Sequence, residues 1–354
     1  MGFLIGFAST QGGCLYYRCE LPARELRAQG LDVVVGSDIF FDPDDPRLAI
    51  ATAPESETGS YSPDGWVIPD TIVLAGGWPR IGPDMIRAAR AAGQRVICDC
   101  DDWPWLPTGN PHHVLGGGDH KISVMRAADH VTVSTPALLD LMRRKGIAAT
   151  LCRNSIDLDV WSNVRDENVH GRTYQGGQRV MVVGYRGMLG GFHDGDVRSL
   201  AGGLPLDFEY VHVGADPREL KSFAKLAQLP PDKVERRQAV AFEEYNGVAL
   251  AGVDVAVVPY CDRPFSLAKS NIACMEWTAA GVPWIASNNT EAAHLDPAAM
   301  VYSSEWDHVL EDFRDVAFRD AYRVRQWRRL ERWLEPDRAA PWARVILETV
   351  PAAT

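Results

Sequence analysis

The segment from Asp254 to Asn288 holds the residues whose types and spacing are best suited to chemistry. A buried-strand pattern ends at Pro259, a loop with Arg263 and Lys269 follows, and a helix opens near Ser270. A helix start offers unpaired N–H groups and the positive end of the helix dipole, which suits a diphosphate. Lys269, one residue earlier, adds a full positive charge at the same place. Glu276 follows seven residues after Lys269, where a carboxylate can accept two hydroxyl hydrogen bonds from a ribose. A capped helix with a surface lysine and glutamate fits the same pattern, so the residues alone leave both readings open.

A second cluster closes the apolar run that starts at Val96: Asp99, Asp101 and Asp102. Carboxylates in such a group suit Mg²⁺ or Mn²⁺, bind acceptor hydroxyls, or cap a helix. His112, His113 and His120 lie just beyond. A neutral imidazole can orient or deprotonate an acceptor hydroxyl near pH 7. His120 is the preferred member because it opens the helix before a strand; a solvated loop histidine is the plainer alternative. No Gly-x-Ser-x-Gly elbow, His-Glu-x-x-His or Walker loop is present. Gly184-Tyr185-Arg186-Gly187 is not a dinucleotide fingerprint, which leaves an oxidoreductase without support.

These residues need elements to position them. An apolar run from Phe3 to Ala8, then Gln11-Gly12-Gly13, a helical pattern from Leu15 to Gln29 and a strand from Leu31 make a βαβ unit. That unit implies a parallel sheet buried on both faces. Strand patterns at 71–75, 95–100, 130–134 and 149–152 alternate with helical ones at 83–92, 120–128 and 136–145. From about 157 to 178 the apolar periodicity is lost, as expected of an interdomain linker. A second alternating series follows, with strands at 179–183, 208–213, 253–259 and 284–286 and a helix over 270–280. The expected architecture is α/β: an N-terminal domain over 1–160, a linker over 161–178 and a C-terminal domain over 179–318. Helices over 319–354 are expected to pack across the domain junction. Their Arg319, Arg323, Arg325, Arg328, Arg329 and Arg332 surround Trp327 and Trp333, a composition that leaves peripheral membrane contact open.

The bulk numbers agree with two ordinary globular domains. The chain has 354 residues, 46% hydrophobic and 23% charged. A net charge of -11 repels phosphate backbones, so nucleic acid is not expected as a partner without a local basic patch. Seven cysteines with no CxxC spacing indicate neither a disulfide framework nor a zinc site. Several sit inside apolar runs, from which a reducing, cytoplasmic setting is expected. Met1 to Thr10 reads as a first strand, not a signal peptide, and no stretch nears the roughly 20 apolar residues that span a bilayer.

The segment 268–288 resembles the C-terminal signature of glycosyltransferase family 4 and its relatives: a helix beginning Lys-Ser, a Glu, then Ala279-Ala280-Gly281-Val282-Pro283-Trp284-Ile285-Ala286-Ser287 for "aaGvPviaS". Val96 to Asp102 resembles their "vvyDiDD", Ala128 to Thr135 their "ADxvtvST", and Arg153 to Asp157 their "pNgiD". Gly187 with His193 and Asp194 resembles a "G…H.D" element, and Gly12-Gly13 the N-terminal glycine loop. The matches are collinear over nearly the whole chain. The resemblance implies a GT-B fold, two Rossmann-like doubly wound parallel-sheet domains facing a central cleft, with 1–160 as the acceptor domain and 179–318 as the nucleotide-sugar donor domain. It implies transfer of a sugar from a nucleoside-diphosphate sugar to a hydroxyl acceptor, with retention of configuration. Lys269, Ser270 and Asn271 would face the donor diphosphate and Glu276 the ribose. Arg186, Gly187, His193 and Arg263 would add donor contacts, and Gly12 and Gly13 would let the backbone approach the sugar. His120, Asp101 and Asp102 are the expected catalytic residues. No cofactor is expected, and a divalent metal is not expected to be essential, because such enzymes use a helix dipole and basic side chains instead.

Many family members carry a second glutamate eight positions before the first, and this chain has Ala268 there. That departure bears on the donor sugar. It also keeps two rivals open: a GT-B sugar-nucleotide epimerase, and a nucleotide-sugar-binding protein that has lost catalysis. The acceptor is left as a glycan, lipid, protein or modified DNA base, and the oligomeric state is not given.

Overall fold

The computed structural model describes residues 3–9, 15–42, 44–52, 65–76, 81–105, 117–170, 181–187, 189, 193–214, 219–238, 250–287, 289–302, 305–334 and 340–348. Gly12, Gly13, His112 and His113 lie outside them, as do 171–180 of the expected linker. The chain divides into two compact units, one of residues up to 155 together with the C-terminal helix, the other running from 156 to the mid-330s.

The first unit is built on strands β1 (Leu4–Ala8), β2 (Asp32–Phe41), β3 (Leu48–Thr52), β4 (Trp66–Val67), β5 (Thr71–Ala75), β6 (Arg95–Cys100), β7 (His130–Val133) and β8 (Ala149–Leu151). They form one sheet in the order β4-β3-β2-β1-β5-β6-β7-β8. From β2 to β8 neighbours are parallel, and β5 and β6 are buried along their whole lengths. Unbroken apolar runs such as Thr71–Ala75 are what a strand covered on both faces requires. The sequence reading did not include β3 and β4, which extend the sheet antiparallel beyond β2. Gly36 permits that turn in direction, because a Cβ there would collide with Ile50 and the Ala51 carbonyl of β3.

Helices α1 (Leu21–Ala28), α2 (Pro83–Ala91), α3 (Gly117–Ala127) and α4 (Pro136–Arg144) connect the strands. A π-helical turn, Leu15–Glu20, precedes α1 where one continuous helix was expected. Helix α3 begins three residues before the expected start, so His120 lies within its first turn instead of opening it.

The second unit carries β9 (Val182–Arg186), β10 (Glu209–Gly214), β11 (Val234–Gln238), β12 (Val255–Val258) and β13 (Trp284–Ala286), in the order β11-β10-β9-β12-β13 and parallel throughout. Its helices are α5 (Ser162–His170), α6 (Asp194–Arg198), α7 (Glu219–Ala227), α8 (Pro264–Leu267), α9 (Ile272–Ala279), α10 (Thr290–Leu295), α11 (Trp306–Asp312) and α12 (Val316–Leu334). Two apolar clusters are built on alternate residues of β12: Trp161, Trp277, Trp284 and Leu330 pack with Ala256, and Phe208, Phe223, Trp306 and Phe313 with Val255 and Val257. Alternate strand residues face opposite sides of a sheet, so both faces are covered and the unit is doubly wound. Gln326 of α12 closes the β13 edge: its amide accepts from Trp284 N at 3.1 Å and donates to Trp284 O at 2.7 Å. Edge backbone groups satisfied in this way cannot recruit another strand.

Helix α5 occupies the start of the stretch read as linker. Its anchor is polar, which is why no apolar periodicity marks it. Buried Asn168 donates to Ala280 O at 2.8 Å and accepts from Gly252 N at 3.0 Å.

The last helix, α13 (Ala340–Glu348), returns to the first unit. Trp342 is buried edge-on against Phe7 of β1 at 5.5 Å. Arg95 of β6 donates to the carbonyls of Val345 and Ile346, satisfying groups that a helix end leaves bare. The arginine-rich α12 and α13 therefore belong to different units.

Candidate anion-binding site

In the second unit all strands run parallel, so their carboxyl ends share one edge, where open α/β sheets bind ligands. Arg186 is the last residue of β9, Gly187 follows it, and His193 stands at the start of α6. Arg263 precedes α8 in the segment after β12, and Lys269, Ser270 and Asn271 lead into α9. The residues expected to bind the donor in this unit therefore gather at one sheet edge.

Their geometry is organised by Asp196, which the sequence reading did not single out. Asp196 is fully buried in α6. It accepts from His193 Nδ1 at 2.8 Å, Ser266 Oγ at 2.6 Å and the Cys261 backbone N–H at 2.8 Å, and Arg263 Nη2 lies 3.5 Å away. Burial alone would push its carboxyl upward in pKa. The hydrogen bond and charge of His193, with the bonds from Ser266 and Cys261, outweigh burial and hold it below the usual carboxylate value. Because a carboxylate can only accept, His193 carries its proton on Nδ1 when neutral and presents Nε2 away from Asp196.

Phe265 of α8 is the floor of the cluster. It is buried, and three basic side chains surround its ring: Lys269 Nζ at 4.6 Å, the Arg263 guanidinium at 5.8 Å and the His193 ring at 5.9 Å. An aromatic face attracts cations and holds them together with less mutual hydration. Arg263 is further fixed by Nε–H donating to Ser266 Oγ at 3.0 Å. Asn289 secures the adjoining loop, donating to Lys269 O at 3.0 Å while its Oδ1 caps α10 through Ala292 N at 2.7 Å.

Glu276 is buried one turn inside α9 and forms an ion pair with Arg186. Asn271 is the N-cap residue of α9, makes no side-chain cap bond, and donates weakly to Glu291 O at 3.4 Å. Helix α9 starts at Ile272, two residues later than expected, because the short helix α8 occupies the segment between Arg263 and Ala268. Gly187 follows β9 in a crowded place, since a Cβ there would collide with the Tyr185 hydroxyl. Its carbonyl is held at 3.1 Å by His212 Nε2, whose ring stacks with Tyr185 and Phe223.

In the first unit the expected acidic cluster separates. Asp99 is buried in β6 and grips Arg18, accepting from Nε at 2.8 Å and Nη2 at 2.5 Å, with Thr132 Oγ1 donating at 2.6 Å. Arg18 Nη1 also donates to Cys152 O at 2.6 Å and Asn154 Oδ1 at 2.9 Å, and Trp342 covers the guanidinium at 4.9 Å. The first aspartate of the "DiDD" pattern and the asparagine of "pNgiD" are thus partners of one buried arginine. Asp101 and Asp102 lie beyond β6 and are part-exposed. His120 Nε2 stands 3.1 Å from Ile81 O; a carbonyl only accepts, so Nε2 carries the proton and Nδ1 is the basic nitrogen of the neutral ring. Among the described residues no three His, Cys, Asp or Glu side chains converge as metal ligands. No described helix is long and apolar enough to cross a membrane.

No protein-family model matches the chain, and no curated protein sequence does. Solved structures do. Sucrose-phosphate synthase from Thermosynechococcus elongatus is 14% identical with a TM-score of 0.65, covering 98% of both chains. Anabaena HepE, solved in complex with UDP and glucose, is 13% identical with a TM-score of 0.60, covering 98% of this chain and 99% of its own. Trehalose 6-phosphate synthase from Burkholderia multivorans is 12% identical with a TM-score of 0.58, covering 98% of both. At such identities the likeness establishes architecture, and it runs the length of both partners: the chain has the GT-B fold of these glycosyltransferases.

Proposed function

We propose that the chain is a glycosyltransferase that moves a sugar from a nucleoside-diphosphate sugar to a hydroxyl acceptor. The observation that carries this reading is the triad of basic groups, His193, Arg263 and Lys269, gathered around Phe265 at the carboxyl edge of a parallel sheet, the first two fastened through Asp196. As the bond between the sugar and the diphosphate breaks, negative charge grows on the leaving phosphate oxygens. Cations fixed in advance stabilise that charge without having to reorganise, and this is commonly the largest single contribution to catalysis.

Each residue has a part in this reading. Lys269 is a point charge and Arg263 a fork of donors for the diphosphate. Protonated His193 donates Nε2–H to the same anion while Asp196 accepts its Nδ1–H. Glu276 takes the donor ribose, with Arg186 moving from the carboxylate to a phosphate. In the first unit His120 offers Nδ1 as base for the acceptor hydroxyl, and Asp101 and Asp102 bind neighbouring hydroxyls. Retention of configuration belongs to the same proposal. HepE was solved with UDP and glucose, so UDP-sugars are the first donors to try, followed by other nucleoside-diphosphate sugars.

The test is a thermal-shift and calorimetry panel of nucleotides and nucleotide sugars on wild type, Lys269→Ala and Glu276→Ala. A ligand that binds only the native state raises its melting temperature by mass action. Stabilisation of wild type by one nucleotide sugar, lost in both variants, is the expected result. A full panel without any shift, or shifts indifferent to both substitutions, overturns the donor site. Product analysis then separates transfer from epimerisation.

A further inference from the structure

The arginines of α12 form a groove that shares no residue with the donor cluster. Arg325, Arg328, Arg329 and Arg332, with Asp320, Ala321 and Val324, line a cavity of about 520 Å³. Spacings of three and four put these four guanidinium groups on one face of the helix, along a row roughly 10 Å long. Two of them have a built anchor. Asp296, fully buried just after α10, pairs with Arg325 at 2.9 Å and with Arg329 at 3.3 Å. Arg325 also stacks on Tyr322 at 3.8 Å. Arg328 and Arg332 are exposed one turn apart, and Arg332 Nε donates to the Arg328 carbonyl at 3.3 Å. Asp320 at the rim is engaged by Arg323 at 2.5 Å. Four cations thus stand against one buried carboxylate and one already paired, on a chain whose net charge is -11.

We infer that this groove binds a small phosphate-bearing anion. Guanidinium forks match phosphate oxygens two at a time, and a row of four offers more donors than Asp296 can engage. The volume falls in the range of small-molecule sites. An extended polyanion would meet the acidic remainder of the surface. A bilayer would need an apolar face to bury, and among the lining residues only Ala321 and Val324 are apolar. Helix α10 joins the two regions, since its cap Asn289 holds the Lys269 loop and Asp296 at its other end holds the groove.

The experiment is calorimetric titration of inorganic pyrophosphate into wild type, Arg328→Gln/Arg332→Gln and Lys269→Ala, each first shown to keep its melting temperature. The double variant leaves the Asp296 anchor intact. Expected is a pyrophosphate site weakened at least about tenfold in the double variant and retained in Lys269→Ala. Arg328→Lys/Arg332→Lys, which keeps the charge and loses the fork, should fall between. Unchanged affinity in the double variant overturns the inference. So does binding through Arg328 and Arg332 that is seen only with phosphatidylglycerol vesicles or duplex DNA. A pyrophosphate site lost only in Lys269→Ala supports the donor reading and not this one.

Discussion

Asp196→Asn tests whether one buried carboxylate assembles the cationic cluster. The amide keeps an oxygen for Cys261 N and Ser266 Oγ, which both bond Oδ1 in the native chain. At the Oδ2 position it places an NH₂ against His193 Nδ1–H and beside Arg263, where donors face donors. Two charge-assisted contacts are lost, each worth about 1.5–3 kcal/mol when fully buried. The His193 and Arg263 side chains are 18% and 25% exposed, so water recovers part of that loss. A net cost of about 2–3 kcal/mol follows, which lowers the melting temperature of a unit this size by roughly 5–10 °C. The pH dependence has a definite sign. The folded pKa of Asp196 lies below the unfolded value of 3.8, so its contribution is complete above that value and is lost as pH falls through the folded pKa. Thermal unfolding at pH 7 should therefore separate wild type from variant, and the gap should shrink below about pH 4. Nucleotide binding should weaken with it. A variant that melts with wild type at pH 7, or a gap that persists undiminished in acid, refutes the view that Asp196 acts as a paired anion.

Arg18→Met and Asp99→Leu should each cost the first unit about 3–5 kcal/mol, since either leaves a buried charge alone, and the double variant should cost less than the two singles added together; denaturant unfolding of the three chains checks this, and additive losses would refute the pairing. Gly187→Ala should cost about 1–3 kcal/mol through the collision of its Cβ with the Tyr185 hydroxyl. Tyr185→Phe in the same chain removes the obstructing oxygen and should recover part of the loss, which melting curves of the single and double variants would show.

The alternating strands and helices were legible because parallel strands buried on both faces are mainly apolar, as Ile72–Ala75 and Val96–Cys98 show. The order of strand, loop and helix around Lys269 was legible for a related reason: a strand end, a lysine and a helix start fall within a short stretch of sequence. The polar hubs were not legible. Asp196 draws on Cys261 and Ser266, and Arg18 on Asp99 and Asn154, partners at least 65 positions away. Nothing local marks such a carboxylate as buried. Sequence reading accordingly grouped Asp99 with Asp101 and Asp102, three acidic residues within four positions. The fold gives them different surroundings: Asp99 is buried within β6 against Arg18, whereas the strand ends at Cys100 and Asp101 and Asp102 follow it, part-exposed. The π-helical turn at Leu15–Glu20 belongs to the same argument. It carries Arg18 to that aspartate, and π turns recur near functional sites because a regular helix would aim the side chain elsewhere. In both units a buried ion pair thus fixes a segment next to the expected site: Arg18 after the glycine loop, and Asp196 under the cations around Phe265. Pairs of this kind add little net stability over apolar packing. Their use here is positional, since a charge desolvated against one partner tolerates one geometry, and it holds in place the groups proposed to meet a diphosphate.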